Sequence, residues 1–270
     1  MPQDRNPACR RQRVPLPYKD LAVSGSGGIY KETENYMGKY TTILWDLDQT
    51  LLNFDLSMDY AIRTVFERYG LEIDDEIVAR YEIINRSYWN RLELGELTKK
   101  EVTTGRFDTL FDELGIRHID PERFNADYQV ELGNVFFYMD GAKELVTKLR
   151  AEGYRQYVVT NGVNATQESK MKLSGLDRIM DGVFVSEKMG YPKPQKEYFD
   201  ACFAALVGVE RGECLLVGDS LTSDMRGANN AGIDACWFNP EGKTNDIGVR
   251  TDYEIRQLSQ LVSILEGEGV

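Results

Sequence analysis

From residue 142 to residue 238 the chain alternates amphipathic segments with short apolar, β-branched runs, and this alternation restricts the fold more than any other feature. Residues 142 to 152 read as a helix, RQYVVTNG (155 to 162) as a strand ending in polar groups, QESKMKLSG as a helix and DGVFVS as a strand. KEYFDACFAALVG, ECLLVGDS, DMRGANNAG and IDACWF then repeat the order helix, strand, helix, strand. Strands joined through helices run parallel, because a crossover needs the length that a helix supplies. The expected fold class is α/β, a Rossmann-like, mostly parallel sheet with helices on its faces.

One further strand precedes this array. TTILW, residues 41 to 45, is apolar and β-branched without clean alternation, as expected of a strand covered on both faces. Between it and the array lies a mainly helical stretch with no hairpin signal. MDYAIRTVFERYG sets Ile62, Val65 and Phe66 at helical spacing, and DEIVARYEIINRSYWNRLELGEL continues with Ile77, Tyr81, Ile84 and Tyr88. The expected organisation is therefore a core from 41–54 and 137–262, interrupted by a helical cap at 55–136. Residues 1–40, rich in Arg, Pro and Gly and without a sustained period, read as a mobile extension or a lightly packed arm. Met37 could mark a shorter natural start.

Charge and composition remove several function classes. With 32 Lys and Arg against 44 Asp and Glu, the net charge is -12, which excludes a general binder of nucleic-acid polymers, since those need a cationic surface. No apolar run approaches the roughly 18 residues that span a bilayer and no apolar secretory segment is present, so no membrane partner and a cytoplasmic location are expected. Cys9, Cys202, Cys214 and Cys236 lack paired spacing and read as small buried hydrophobes rather than a metal or redox site. His118 is the only histidine and lies in the polar connection GIRHIDPER, which disfavours a zinc cluster or a serine-histidine-aspartate triad.

The strand ends carry the chemistry. Functional groups of an open α/β sheet gather outside the carboxyl ends of its strands. Here those ends hold Asp46 and Asp48 after the first strand, Thr160 and Asn161 after the second, Lys193 beyond the third, and Asp219 with Asp224 after the fourth. Any one of these acids could cap a helix. Together they repel one another unless a hard cation or a bound proton offsets them, and all-oxygen donors suit Mg²⁺. Lys193, in the turn-like GYPKP, adds a cation to the same edge. Thr160, Asn161 and Gly162 are placed either to cradle an anion or to cap a turn. The GxxxxGK[ST] loop of nucleoside triphosphatases is absent.

These stretches make the chain similar to the haloacid dehalogenase superfamily of phosphatases. DLDQT (46 to 50), VVTNG (158 to 162), YPKP (191 to 194) and GDSLTSD (218 to 224) match that family's four motifs in order. The resemblance implies Asp46 as a nucleophile that forms an aspartyl-phosphate and Asp48 as the acid and base. It implies Mg²⁺ held by Asp46, the Asp48 carbonyl, Asp219 and Asp224, and a phosphoryl group held by Thr160, Asn161 and Lys193. An acid at Asp48 suits a phosphate ester, whose leaving oxygen needs a proton, better than a halide. The stretches WNRLELGELTKKEVTTGRF, VTNGVNATQ, FVSEKMGYPKPQKEYFD, GDSLTSDM and CWFNPEGK further resemble the bacterial pyrimidine 5'-nucleotidases. That likeness implies a small phosphomonoester partner, a pyrimidine nucleoside monophosphate, for a monomer or homodimer. The expected cap contacts are Phe54, Trp89, Arg106 and Phe107: the aromatics would stack on a base and Arg106 would meet a carbonyl or phosphate. The alternatives are a sugar-phosphate or phosphoglycolate phosphatase, a phosphomutase, or a metal-dependent protein that binds a phosphate ligand without turning it over.

Overall fold

The structure, a computed structural model, describes residues 38–267. The expected N-terminal arm, with Cys9, therefore lies outside the described residues apart from Gly38, Lys39 and Tyr40. Six strands form one sheet: β1 (Thr42–Trp45), β2 (Arg155–Thr160), β3 (Gly182–Val185), β4 (Cys214–Gly218), β5 (Asp234–Phe238) and β6 (Tyr253–Ile255). Their order is β3-β2-β1-β4-β5-β6, and every neighbouring pair is parallel. The chain builds outward from β1 to β3 and then returns to the other side of β1 for β4. The strand order thus reverses between β1 and β4, the crevice where open parallel sheets place their ligands.

Both faces of the sheet are covered, which accounts for strands without polar alternation. Ile43, Trp45, Val158, Leu215, Val217 and Cys236 point into one hydrophobic core. Leu44, Val159, Leu216, Ala235 and Trp237, each one position out of step, point into the other. The first core is closed by α5 (Ala142–Ala151) and the second by α8 (Lys196–Ala205) and α9 (Arg226–Ala231). Trp45 places its only polar atom against Gln156, whose amide donates in turn to the Val146 carbonyl at 2.8 Å, so this buried pair is satisfied. Cys202, Cys214 and Cys236 are free thiols buried in these cores.

The cap consists of α1 (Phe54–Arg68), α2 (Asp75–Glu93), α3 (Lys99–Leu114) and α4 (Pro121–Gly133). Each begins at a polar cap: Asn53, Asp74, Thr98 and Asp120 accept a backbone N–H of the first turn. Thr98 and Glu101 complete a reciprocal capping box, and Pro121 occupies the first turn of α4. The helices enclose their own aromatic core of Phe66, Tyr81, Phe107, Phe124 and Tyr128, among others. The remaining helices are α6 (Asn164–Ser174) after β2, α7 (Ser186–Met189) after β3 and the terminal α10 (Leu261–Leu265). No helix among the described residues is long and apolar enough to cross a membrane.

Candidate active site

The site starts where β1 stops. The Asp46 N–H still pairs with the Val217 carbonyl at 2.9 Å, which sets the Asp46 side chain at the strand end beside β4. Leu47 then dives into the core, and the Leu51 and Leu52 N–H groups fold back onto its carbonyl at 3.0 and 2.8 Å. This tight turn holds Gln49 at φ 66, a left-handed conformation that is uncommon outside glycine. Gln49 uses the position: its side chain accepts the Phe54 N–H at 2.8 Å and donates to Asp55, tying the turn to the start of the cap.

Lys193 is buried at 1% exposure and spends all three ammonium hydrogens on the site. It donates to Asp46 Oδ1 at 2.6 Å, Asp224 Oδ1 at 2.6 Å and the Val159 carbonyl at 2.9 Å. Its backbone is clasped from both sides by Asn161, whose Oδ1 accepts the Lys193 N–H at 2.8 Å while Nδ2 donates to the Lys193 carbonyl at 2.9 Å. Asp224 approaches β4 so closely that a Cβ on Gly218 would lie 2.4 Å from its carboxylate, so glycine is required there.

Asp46, Asp219 and Asp224 each present an oxygen within 4.8 Å of the others. Burial pushes the Asp46 carboxyl up to about 8, against the pull of Lys193 and with the help of the Asp224 charge. Asp219 is raised well above the ordinary carboxylate range by burial and by the charges of Asp46 and Asp224. For Lys193, burial opposes the ammonium, but Asp224 and Asp46 outweigh it and hold its pKa above the usual lysine value. Three carboxylates against one ammonium leave two negative charges, the amount one divalent cation neutralises. Hard oxygen donors without sulfur or imidazole fit such an ion, and the cluster is consistent with a divalent-metal site.

The Asp48 side chain lies outside this cluster and faces α6. Lys170 Nζ, fully buried, sits 2.8 Å from Asp48 Oδ1, and Gln167 Nε2 donates to Oδ2 at 2.6 Å. Gln167 also donates to Thr160 Oγ1 at 3.0 Å, as does the Gly162 N–H at the same distance. The Thr160 oxygen thus accepts twice, leaving its own hydrogen to donate. Neither Gln167 nor Lys170 was expected from the sequence, where QESKMK reads as an ordinary charged helix. Their spacing of three, facing the loop after β2, was the available signal.

A cavity of about 620 Å³ opens over these groups. From the cap, Phe54 and Trp89 line it, together with Asn85 and Glu93. Arg106 and Phe107 do not reach it, which corrects the expectation for both. Phe107 is fully buried in the cap core, stacked on Tyr81 at 5.1 Å and edge-on to Phe124 and Tyr128. Arg106 is 1% exposed and directs its guanidinium at Asn85 and Asn125. Both point inward from α3, and inward there leads to the cap's aromatic core. His118 is exposed in the connection between α3 and α4.

Two cap residues grip the core on either side of the cavity. Lys99 donates to the Asn161 carbonyl, to the Gly162 carbonyl at 2.8 Å and to Ser186 Oγ at 3.0 Å. Glu93 accepts from Thr222 and, at 3.3 Å, from Ser220. Burial pushes the Glu93 carboxyl up to about 7, with Asp224 adding to the shift and the Thr222 hydrogen bond opposing it.

A parallel sheet with an inserted helical cap and a carboxylate cluster at the strand switch defines a hydrolase class, and the chain belongs to the haloacid dehalogenase-like hydrolases, whose family model matches residues 40–232. Among its relatives is a putative hydrolase of this family from Bacillus subtilis, YfnB, 37% identical over 86% of this chain and 98% of that protein. The crystal structure of YfnB bound to magnesium shares the fold with a TM-score of 0.80 at 36% identity, covering 84% of this chain and 99% of that one. The pyrimidine 5'-nucleotidase PynA of Streptococcus pneumoniae is 32% identical over 84% of this chain and 95% of its own length.

Proposed function

We propose that the chain is a Mg²⁺-dependent phosphomonoesterase that releases inorganic phosphate from pyrimidine nucleoside 5'-monophosphates. The observation that carries the hydrolase reading is the placement of Asp46 at the cavity floor, 2.6 Å from Lys193 and grouped with Asp219 and Asp224. A carboxylate so placed can attack phosphorus only if the dianionic ester is screened, and Lys193 supplies part of that screening. Bound Mg²⁺, held by Asp46, Asp219, Asp224 and the Asp48 carbonyl, would supply the rest by neutralising charge on the phosphoryl oxygens. Its identity is supported by the hard donor set and by the magnesium bound in the YfnB relative.

In the first step Asp46 forms a bond to phosphorus, the ester P–O bond breaks, and Asp48 gives its proton to the departing 5'-oxygen. Lys170, 2.8 Å away, stabilises the Asp48 carboxylate that results. In the second step Asp48 takes a proton from water, the water oxygen attacks phosphorus, and cleavage of the acyl-phosphate bond returns Asp46 and frees phosphate. The Thr160 hydroxyl and the Asn161 backbone N–H, which has no partner among the described residues, donate to the transferring group.

The nucleotide reading is supported by the kinship to PynA, by a cavity with room for a base beyond the phosphate, and by Phe54 and Trp89 on its wall. A phosphate-release panel tests it: UMP, dUMP, dTMP and CMP against AMP, GMP, sugar phosphates and phosphoglycolate, with Mg²⁺ or with EDTA. The highest kcat/KM is expected on a pyrimidine monophosphate with Mg²⁺. A maximum on a non-nucleotide would overturn the substrate assignment, and absence of turnover on every ester would overturn the hydrolase assignment.

A further inference from the structure

Arg106 is a cation sealed inside the cap, and among the described residues its guanidinium meets no carboxylate. Nη1 donates to Asn85 Oδ1 at 2.6 Å and Nη2 to Asn125 Oδ1 at 3.0 Å, while the rings of Phe107 and Tyr128 lie 4.9 and 5.1 Å from the guanidinium carbon. An unpaired buried charge is costly, and an apolar side chain would fill the space without that cost. The charge has one outlet toward the cavity, and it runs through Asn85.

Asn85 is only 4% exposed, yet it lines the cavity. Its Oδ1 accepts from Arg106 and also from Trp89 Nε1 at 3.1 Å. Arginine and indole nitrogens are donors only, so the atom between them must be the amide oxygen, and the orientation of the group is fixed. The other end, Nδ2, has no acceptor among the described residues. The amide is left as the part of Asn85 that can take a partner from the cavity this residue lines. A donation from a guanidinium polarises the amide and strengthens its N–H groups as donors. On α2, Asn85, Trp89 and Glu93 recur every four residues and present one face to the same cavity.

We propose that Asn85 determines base specificity by donating from Nδ2 to a ring carbonyl oxygen of the substrate, with Arg106 as the positioning residue that fixes and polarises its amide. This rests on the nucleotide reading and deepens it: the feature read is a pyrimidine carbonyl, which the base of AMP does not offer. A site built around a buried donor discriminates strongly, because a ligand without the acceptor leaves that donor unpaired.

The test compares kcat/KM for UMP with that for ribose 5-phosphate, which keeps the ester and lacks the base. Asn85→Ala is expected to lower the UMP to ribose 5-phosphate ratio about tenfold. Asn85→Asp, which sets a carboxylate oxygen against the carbonyl while keeping an acceptor for Arg106 and Trp89, is expected to lower it about a hundredfold, chiefly through KM. Arg106→Met should lower the same ratio, and Arg106→Lys should recover part of it. An unchanged ratio in folded Asn85→Asp, or equal losses on both substrates in every variant, would overturn the proposal while the nucleotide reading stands. Wild-type protein without preference for UMP over ribose 5-phosphate would overturn the nucleotide reading and this assignment with it.

Discussion

Replacing Lys193 by Met, a side chain of similar length without charge, isolates the electrostatic work of the ammonium. In the native chain it is the donor to two buried carboxylates at 2.6 Å and to the Val159 carbonyl at 2.9 Å. Removing one partner of a buried ion pair costs about 3–5 kcal/mol. With the ammonium gone, the same carboxyls are driven further toward the protonated form, so part of that cost is taken up as protonation. For a chain of this size that cost lowers Tm by roughly 10 °C in EDTA at pH 7. Protonation carries the penalty, so the gap between variant and native protein narrows as pH falls toward 5. Mg²⁺ stabilises whichever form binds it, by about 2.7 kcal/mol at a hundredfold excess over Kd, and it restores part of the lost Tm only by replacing the missing charge. Thermal melts at pH 5 and pH 7, with EDTA and with Mg²⁺, provide the assay. A K193M protein that melts within 2 °C of the native one in EDTA at pH 7 would refute the view that the ammonium holds this cluster together.

Three other perturbations separate chemistry from scaffold. Asp46→Asn should reduce turnover at least about a thousandfold while leaving the melt within a few degrees, because the amide still accepts from Lys193; near-native turnover in folded D46N would remove Asp46 as nucleophile. Phe107→Ala empties a site between the rings of Tyr81, Phe124 and Tyr128 and should cost about 3–5 kcal/mol in urea unfolding, so a loss below about 1 kcal/mol would contradict its place in the cap core. Glu93 has a raised folded-state pKa, so its contribution is fully present below pH 4.5 and declines as pH rises toward 7. Measured in EDTA, Glu93→Gln should therefore gain on the native protein by about 2–3 kcal/mol across that interval, and parallel stability curves would show that the carboxyl is not strained by burial.

The convergence of the core residues was legible because a parallel sheet converts one-dimensional spacing into one edge. Asp46, Thr160 and Asp219 each stand at the end of an apolar run, and once those runs pair in parallel these residues share one edge, which Lys193 reaches from the turn beyond β3. The strand β6 escaped because three residues are too short to display a period. The cap resisted for a different reason. An amphipathic period states which way a side chain points and not what lies there, so Phe107 and Asn85, both inward, end in an aromatic core and at a cavity wall. Asn85 was hidden in the apolar stripe of α2, a polar residue that reads as an interruption until Arg106 and Trp89 are seen to share its oxygen.

The partners that matter most to the cap are also the most distant in sequence, since Lys99 reaches the carbonyls after β2 and Glu93 reaches the loop after β4. These two grips bracket the segment joining α2 to α3 and fasten it to both sides of the phosphoryl site. Asn85 lies two turns before Glu93 on the same helix, and Glu93 is hydrogen-bonded to Ser220 and Thr222 of the loop that carries Asp219 and Asp224, so the position from which Asn85 is proposed to donate is set relative to that loop. Under the proposed nucleotide reading, the distance between phosphate and base is thereby measured by the length of α2 between Asn85 and Glu93. A substrate that satisfies Asn85 but carries its phosphate one bond too near or too far must break one of the grips to bind, which is how a cap without any catalytic group can select the ester that is cleaved.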